Sequence, residues 1–226
     1  MANLMVNSKA LDFLKRLEKN NNREWFTEHK DEFKTHELEM KGLFTALTEH
    51  LNKHDQIEKM KMFRIYRDVR FSKDKTPYKT QFSVSFSRAG AERRGGYHLC
   101  IKPRETFIAT GFWAPNKEDL LRIRKELEVD ASEFREIINE EALQTIWGDL
   151  KGDAVKTAPK GFDKDHPDID LIRHKQFIFV RNFSDQEVLS DDFLSHVDDS
   201  FRAIRPYFDF MGSVLTTNLN GESLIG

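Results

Sequence analysis

Between residues 61 and 104 the chain holds twelve basic residues against three acidic ones, a local charge of +9 in a 226-residue protein of net charge −2. The rest of the chain therefore carries −11. The cations are densest from Arg64 to Thr80, where Arg64, Arg67, Arg70, Lys73, Lys75 and Lys79 are interleaved with Ser72, Thr76, Tyr78 and Thr80. Arginine offers a planar fork of N–H donors that fits a phosphate or a carboxylate, and lysine adds a flexible point charge. The hydroxyls supply further donors. This combination suits a small phosphorylated or carboxylated anion, with Arg64, Arg67, Arg70, Lys73, Lys75, Tyr78 and Lys79 as the ligand-facing set. Asp68 and Asp74 would orient the cations, or one of them would act as a base on a bound ligand. The competing reading is internal ion pairing. Residues 185–209 hold seven Asp and Glu against Arg202 and Arg205, and Arg67 would then be a buried arginine paired with a carboxylate.

Other residue patterns carry less. Cys100 is two residues from His98, and a thiol nucleophile needs such a base, but a lone cysteine reads first as a small core residue. His50 and His54 are four apart and would share a helix face, yet no third metal ligand accompanies them, so a solvated face is expected. Gly90 to Gly95 has phosphate-loop spacing, but Gly96 stands where lysine is required, so the stretch reads as a hairpin loop. The sequence names no catalytic residue, no metal site and no cofactor.

These side chains need elements to position them. Leu11, Leu14 and Leu17 follow Ser8, which can cap a short helix. Asn21 and Glu24 have the spacing of a capping box opening a second, longer helix, with a stripe of Phe26, Phe33, Met40, Phe44, Leu47 and Leu51. From Phe63 to Phe71 apolar and polar residues alternate, as in an extended segment. Phe82, Val84 and Phe86 alternate with serines, and Tyr97, Leu99 and Ile101 follow after the polar glycine-bearing stretch. Glu105 to Trp113 is a further strand-like run. Together they predict an antiparallel sheet of three or four strands. Asn116 with Asp119 and Asp130 with Glu133 mark two helix starts. Residues 151–174 read mostly as loop, Phe177 to Val180 as a short buried strand, and Ser190 as the cap of a final helix that Pro206 should kink.

Strands in the middle with helices at both ends indicate an α+β fold, a small antiparallel sheet packed by N-terminal and C-terminal helices. With no repeat and no linker rich in Gly or Ser, residues 1–226 are expected to form one domain, helical over 8–54, mainly strands over 62–113 and mixed helical over 116–218.

The segment Arg67-Asp68-Val69-Arg70-Phe71-Ser72-Lys73-Asp74-Lys75-Thr76-Pro77-Tyr78-Lys79-Thr80 resembles the signature of the conserved hypothetical family called domain of unknown function 2461. Asn21 to Phe26, Gly96 to Leu99, Gly111 to Pro115, Ala158 to Phe162, His166-Pro167 and the phenylalanine-rich last helix agree in order, so the resemblance spans nearly the whole chain. Ala114 is the one departure. The resemblance implies a cytoplasmic α+β protein and brings no activity, cofactor or catalytic residue.

Composition narrows the classes further. The 19 Phe, 3 Trp and 4 Tyr are enough for a core, so a folded protein is expected in spite of 33% charged residues. A single cysteine excludes an internal disulfide and fits a reducing compartment. Met1 to Asn7 lacks the pattern of a secretory leader, and no run of about 18 apolar residues exists, so a cytoplasmic protein with no membrane span is expected. Binding of a small anion, in an enzyme or not, ranks first. A non-catalytic interaction module, whose basic sheet docks an acidic protein partner or a second copy of the chain, ranks next. Nucleic acid ranks last, because no strand alternates aromatic and basic residues.

Overall fold

The computed structural model describes residues 5–225. The chain begins with α1 (Ser8–Lys19), capped by Asn7, whose side chain accepts from the Lys9 N–H at 3.0 Å. Ser8 is therefore the first helical residue and not the cap. Leu11, Leu14 and Leu17 are buried as the spacing requires. Asn22, one residue after the expected position, caps α2 (Arg23–Glu28) through the Trp25 N–H. That helix is short. The backbone leaves helical geometry at His29 and restarts as α3 (Lys30–Leu51). The single long helix is thus two, yet its stripe holds: Phe26, Phe33, Met40, Phe44, Leu47 and Leu51 are all buried.

The sheet consists of β1 (Ile57–Met62), β2 (Phe82–Arg88), β3 (Gly96–Ile101), β4 (Thr106–Phe112) and β5 (Phe177–Phe183). The strands are antiparallel and lie side by side in chain order. Between β4 and β5 run α4 (Lys117–Val129), α5 (Ser132–Asn139), α6 (Glu141–Trp147) and the single turn α7 (Ile169–Ile172). Asn116 caps α4 through the Asp119 N–H, as expected. After β5 come α8 (Asp185–Val188), α9 (Phe193–Ala203) and α10 (Arg205–Thr216). The expected kink at Pro206 is a full break. The chain turns at Ile204 and Pro206 sits in the first turn of α10, where its missing N–H costs nothing.

Two strand expectations change. β1 lies upstream of the segment read as extended, and residues 63–81 form an irregular loop between β1 and β2. β1 is an edge strand with a mixed sequence, so it lacks a clean alternation. β5 is a fifth strand, longer than the run from Phe177 to Val180.

The chain forms two compact units. The first comprises residues 1–86, 98–108 and 182–199, and the second residues 87–97, 109–181 and 200–226. In the first, Phe33 stacks on Phe82 with ring centroids 6.0 Å apart, and Phe13, Phe44 and Leu47 are fully buried around them. In the second, Tyr207 meets the rings of Phe112, Phe134, Phe179 and Phe208. Each such aromatic, taken fully out of water, contributes about 1.5 to 3 kcal/mol. Among the described residues no helix is long and apolar enough to cross a membrane.

Candidate functional site

The basic segment is a hairpin-shaped excursion. The Arg67 N–H donates to the Pro77 carbonyl at 2.9 Å, the Lys79 N–H donates to the Ile65 carbonyl at 2.7 Å, and Tyr66 and Tyr78 form an isolated bridge between them. The base of the excursion is anchored from outside. The Asn21 amide donates to the Tyr78 carbonyl at 2.9 Å and accepts from the Tyr78 N–H at 3.1 Å, so one side chain stands in for a paired strand. The Tyr78 ring stacks on Phe26 at 4.0 Å. Asn21, read as a helix cap, instead fixes this loop.

Two carboxylates organise the tip. Arg67 Nη1 bonds to both the Asp74 carboxylate and the Thr76 hydroxyl. Asp74 also accepts from the Thr76 N–H at 2.9 Å and the Thr76 hydroxyl at 2.8 Å. Asp68 takes the Arg70 guanidinium at 3.0 and 2.7 Å. The Lys75 ammonium donates to the carbonyls of Val69 and Arg70. Arg64, Lys73 and Lys79 have no carboxylate partner among the described residues.

Hydrogen bonds from the Thr76 backbone, then from Arg67, pull the Asp74 carboxyl down to about 2 from an ordinary 3.8. The Arg70 guanidinium lowers Asp68 in the same way. Neither is suited to take a proton at neutral pH. Because Asp74 is more acidic folded than unfolded, its contribution to the tip is complete above pH 3.8 and is lost as the pH falls through about 2. An NMR titration should find the Asp74 carboxyl half-protonated near pH 2, with the Thr76 amide moving in step. A midpoint near 3.8 would mean that these bonds do not persist in solution.

Four of the seven candidate side chains line two hollows of the first unit. One, of about 320 Å³, is lined by Arg67, Thr76, Tyr78, Lys79, Thr80 and Gln81 together with Glu18, Asn21 and Asp74. Glu18 is already paired with Arg104 at 2.7 Å. Arg64 lines the other, of about 590 Å³, beside Lys34, Leu38, Lys41 and Met62. Arg70, Lys73 and Lys75 line neither. The seven cationic and phenolic candidates are therefore not gathered at one point.

Residues 9–210 match the family described as conserved hypothetical protein (DUF2461). The chain belongs to this family. No curated protein matches it. In this DUF2461 chain the distinctive segment from Arg67 to Thr80 is the loop just described, and the segment from Asn21 to Phe26 supplies its anchor and its stacking partner. Two of the most recognisable stretches of the sequence thus meet at one site. The family description assigns no activity.

The remaining candidates find structural partners. Cys100 is fully buried, and burial pushes its thiol up to about 12, so it is not a thiolate nucleophile at neutral pH. His50 and His54 are not a solvated face. Both turn to the buried carboxylate of Asp198 on α9, at 3.9 and 2.9 Å. Among the described residues no group of three His, Cys, Asp or Glu is placed to hold a metal. Sequence reasoning missed Asn21 and Gln81 at the hollow. Asn21 was marked by its run of three asparagines and by the family resemblance of the stretch to Phe26, neither of which says that it holds a loop.

Proposed function

We propose that this cytoplasmic DUF2461 protein binds a small oxyanion, a phosphate or carboxylate group, in the hollow beside Lys79. The observation that carries the reading is the state of Lys79. It borders the hollow, it is half-buried, and no carboxylate neutralises it. Desolvation, and then the nearby Arg64 charge, push its ammonium below the ordinary lysine value. A cation held at such a cost, beside a polar hollow, is stabilised by an incoming anion. Arg67 completes the pair. Asp74 and Thr76 engage its Nη1, which leaves Nε and Nη2 with no hydrogen bond among the described residues. The hydroxyls of Thr76 and Thr80 line the same hollow.

The test is a thermal-shift screen of the wild-type protein and Lys79→Met against inorganic phosphate, phosphorylated compounds and organic acids. An anion at 100 times its dissociation constant stabilises the protein by about 2.7 kcal/mol, a shift of roughly 5 to 10 °C at this size. Lys79→Met should fold normally and lose the shift. No shift with any anion, or an undiminished shift in Lys79→Met, overturns the reading.

Phe71 favours a second reading, docking of an acidic protein. Its side chain is 98% exposed at the loop tip, between Arg70 and Lys73. An uncovered aromatic ringed by cations is a common interface anchor. Co-purification of a partner that is lost in high salt, and in Phe71→Ser, would support it. A partner retained by Phe71→Ser would count against it.

A further inference from the structure

A row of rings crosses one face of the sheet in the first unit. Phe63, just after β1, lies 5.9 Å from His98 on β3, and His98 lies 5.8 Å from Phe107 on β4, centroid to centroid. Ser85 on β2 sits within the row, its hydroxyl 3.0 Å from His98 Nδ1. Strand alternation puts Ser85 on the face opposite to Phe82, Val84 and Phe86, which are buried. The rings of the row are only half-buried. They are not fully buried, and among the described residues the side chains found over the Phe63 ring are two lysines.

Cations flank the row. The ammonium groups of Lys61 and Lys79 lie 5.3 and 5.4 Å from the Phe63 centroid. Lys61, like Lys79, has no carboxylate partner among the described residues. His98 adds no charge of its own at neutral pH, since burial holds its imidazole below the usual value. The patch thus combines three unsaturated rings, a serine hydroxyl and two cations at one end. One of those cations, Lys79, also borders the oxyanion hollow.

We propose that this row receives the planar heterocycle of a nucleotide whose phosphate occupies the hollow beside Lys79, the base stacking on one ring and meeting the neighbouring rings, inclined at 63° and 37° to one another along the row, at its edges. The assignment deepens the oxyanion reading and rests on it. An aliphatic phosphate or a simple organic acid would use the hollow and leave the rings idle. A nucleotide uses both, because a base presents a flat π-face to aromatic side chains and its phosphate meets the cations. Ser85 and His98 place a hydroxyl and an imidazole edge in the middle of the platform, where they can hydrogen-bond the rim of a base. The absence of aromatic and basic alternation along any single strand is not an obstacle, since the row runs across strands.

The experiment is calorimetric titration with inorganic phosphate, adenosine and adenosine monophosphate, on the wild-type protein and on Phe63→Leu. Leucine keeps the side chain apolar and removes the ring. Adenosine monophosphate should bind at least about tenfold more tightly than phosphate, the scale of one stacked base. Phe63→Leu should erase most of that advantage, bringing the nucleotide's affinity close to that of phosphate measured on the same variant. Should the variant fold poorly, the wild-type protein suffices. Ring currents should shift the His98 imidazole protons when the nucleotide is added, and phosphate alone should not. The proposal is overturned if the nucleotide binds no more tightly than phosphate, or if its advantage persists in Phe63→Leu with the His98 signals unmoved. Phosphate binding without any nucleotide advantage leaves the oxyanion reading intact and removes only the platform. Adenosine binding without phosphate binding overturns the oxyanion reading and with it the nucleotide assignment.

Discussion

Gly111→Ala should destabilise the protein by about 3 to 5 kcal/mol, the combined scale of a strained backbone and an overpacked contact. Gly111 lies in β4 at φ 112°, a conformation that side-chain-bearing residues rarely adopt. A Cβ placed there would stand 2.3 Å from the Phe177 carbonyl oxygen and 3.1 Å from the Ile178 Cα. Both are backbone atoms of the neighbouring strand β5, so no side chain can swing aside. Relief requires β4 and β5 to separate, at the cost of their hydrogen bonds. In thermal melts the variant should lose roughly 10 °C or more. A loss under 3 °C would mean that the two strands yield easily at this point.

Tyr207→Ala should cost about 3 to 5 kcal/mol, as for other buried aromatics truncated to alanine. Tyr207 is fully buried on α10, among Phe112, Phe134, Phe179 and Phe208. Its hydroxyl donates to the Phe177 carbonyl at 2.8 Å, the same oxygen that Gly111 approaches. Burial raises the phenol well above its ordinary value, so it remains a donor at any pH that the fold survives. Tyr207→Phe removes the donor alone and should cost about 1 to 2 kcal/mol. Urea unfolding of the two variants separates packing from hydrogen bonding. If Tyr207→Phe were as damaging as Tyr207→Ala, the ring contacts would contribute little and the hydrogen bond would dominate.

The parts of this fold that announce themselves in the sequence are those in which one residue type has one job. The stripe from Phe26 to Leu51 is legible because apolar side chains at helical spacing have nowhere to go but a core, and it survives even the break at His29. β2 and β3 are legible for the same reason at a period of two. β1 is not. It lies at the sheet edge, where lysine and glutamate are tolerated and alternation is relaxed. The apolar residues after it belong to a loop, with Ile65 buried as an anchor and Phe71 left in solvent. Charge density marked out the basic loop but not how its side chains divide. Asp68 and Asp74 each claim one arginine, and Arg64 lines a hollow apart from Arg67. That division depends on which way each side chain leaves an irregular backbone, and no periodicity records it. Asn21 was opaque for another reason. It acts 57 residues away in the chain, on the backbone of Tyr78.

The division of the chain into two units, each drawn from three separate stretches, bears on its synthesis. The first unit is incomplete until Asp199 has been made, and the second needs Ser200 and beyond. A contiguous fragment that holds the whole first unit also carries most of the second, and one that holds the whole second unit carries two stretches of the first. As the chain leaves the ribosome, the stripe from Phe26 to Leu51 must wait for β2, which carries its stacking partner Phe82. Such delayed closure of distant contacts slows folding and leaves apolar surface uncovered in the interval. Fragments cut at the unit boundaries should therefore aggregate where the intact chain does not, and nascent chains shorter than about 200 residues should be sensitive to protease and dependent on holding chaperones.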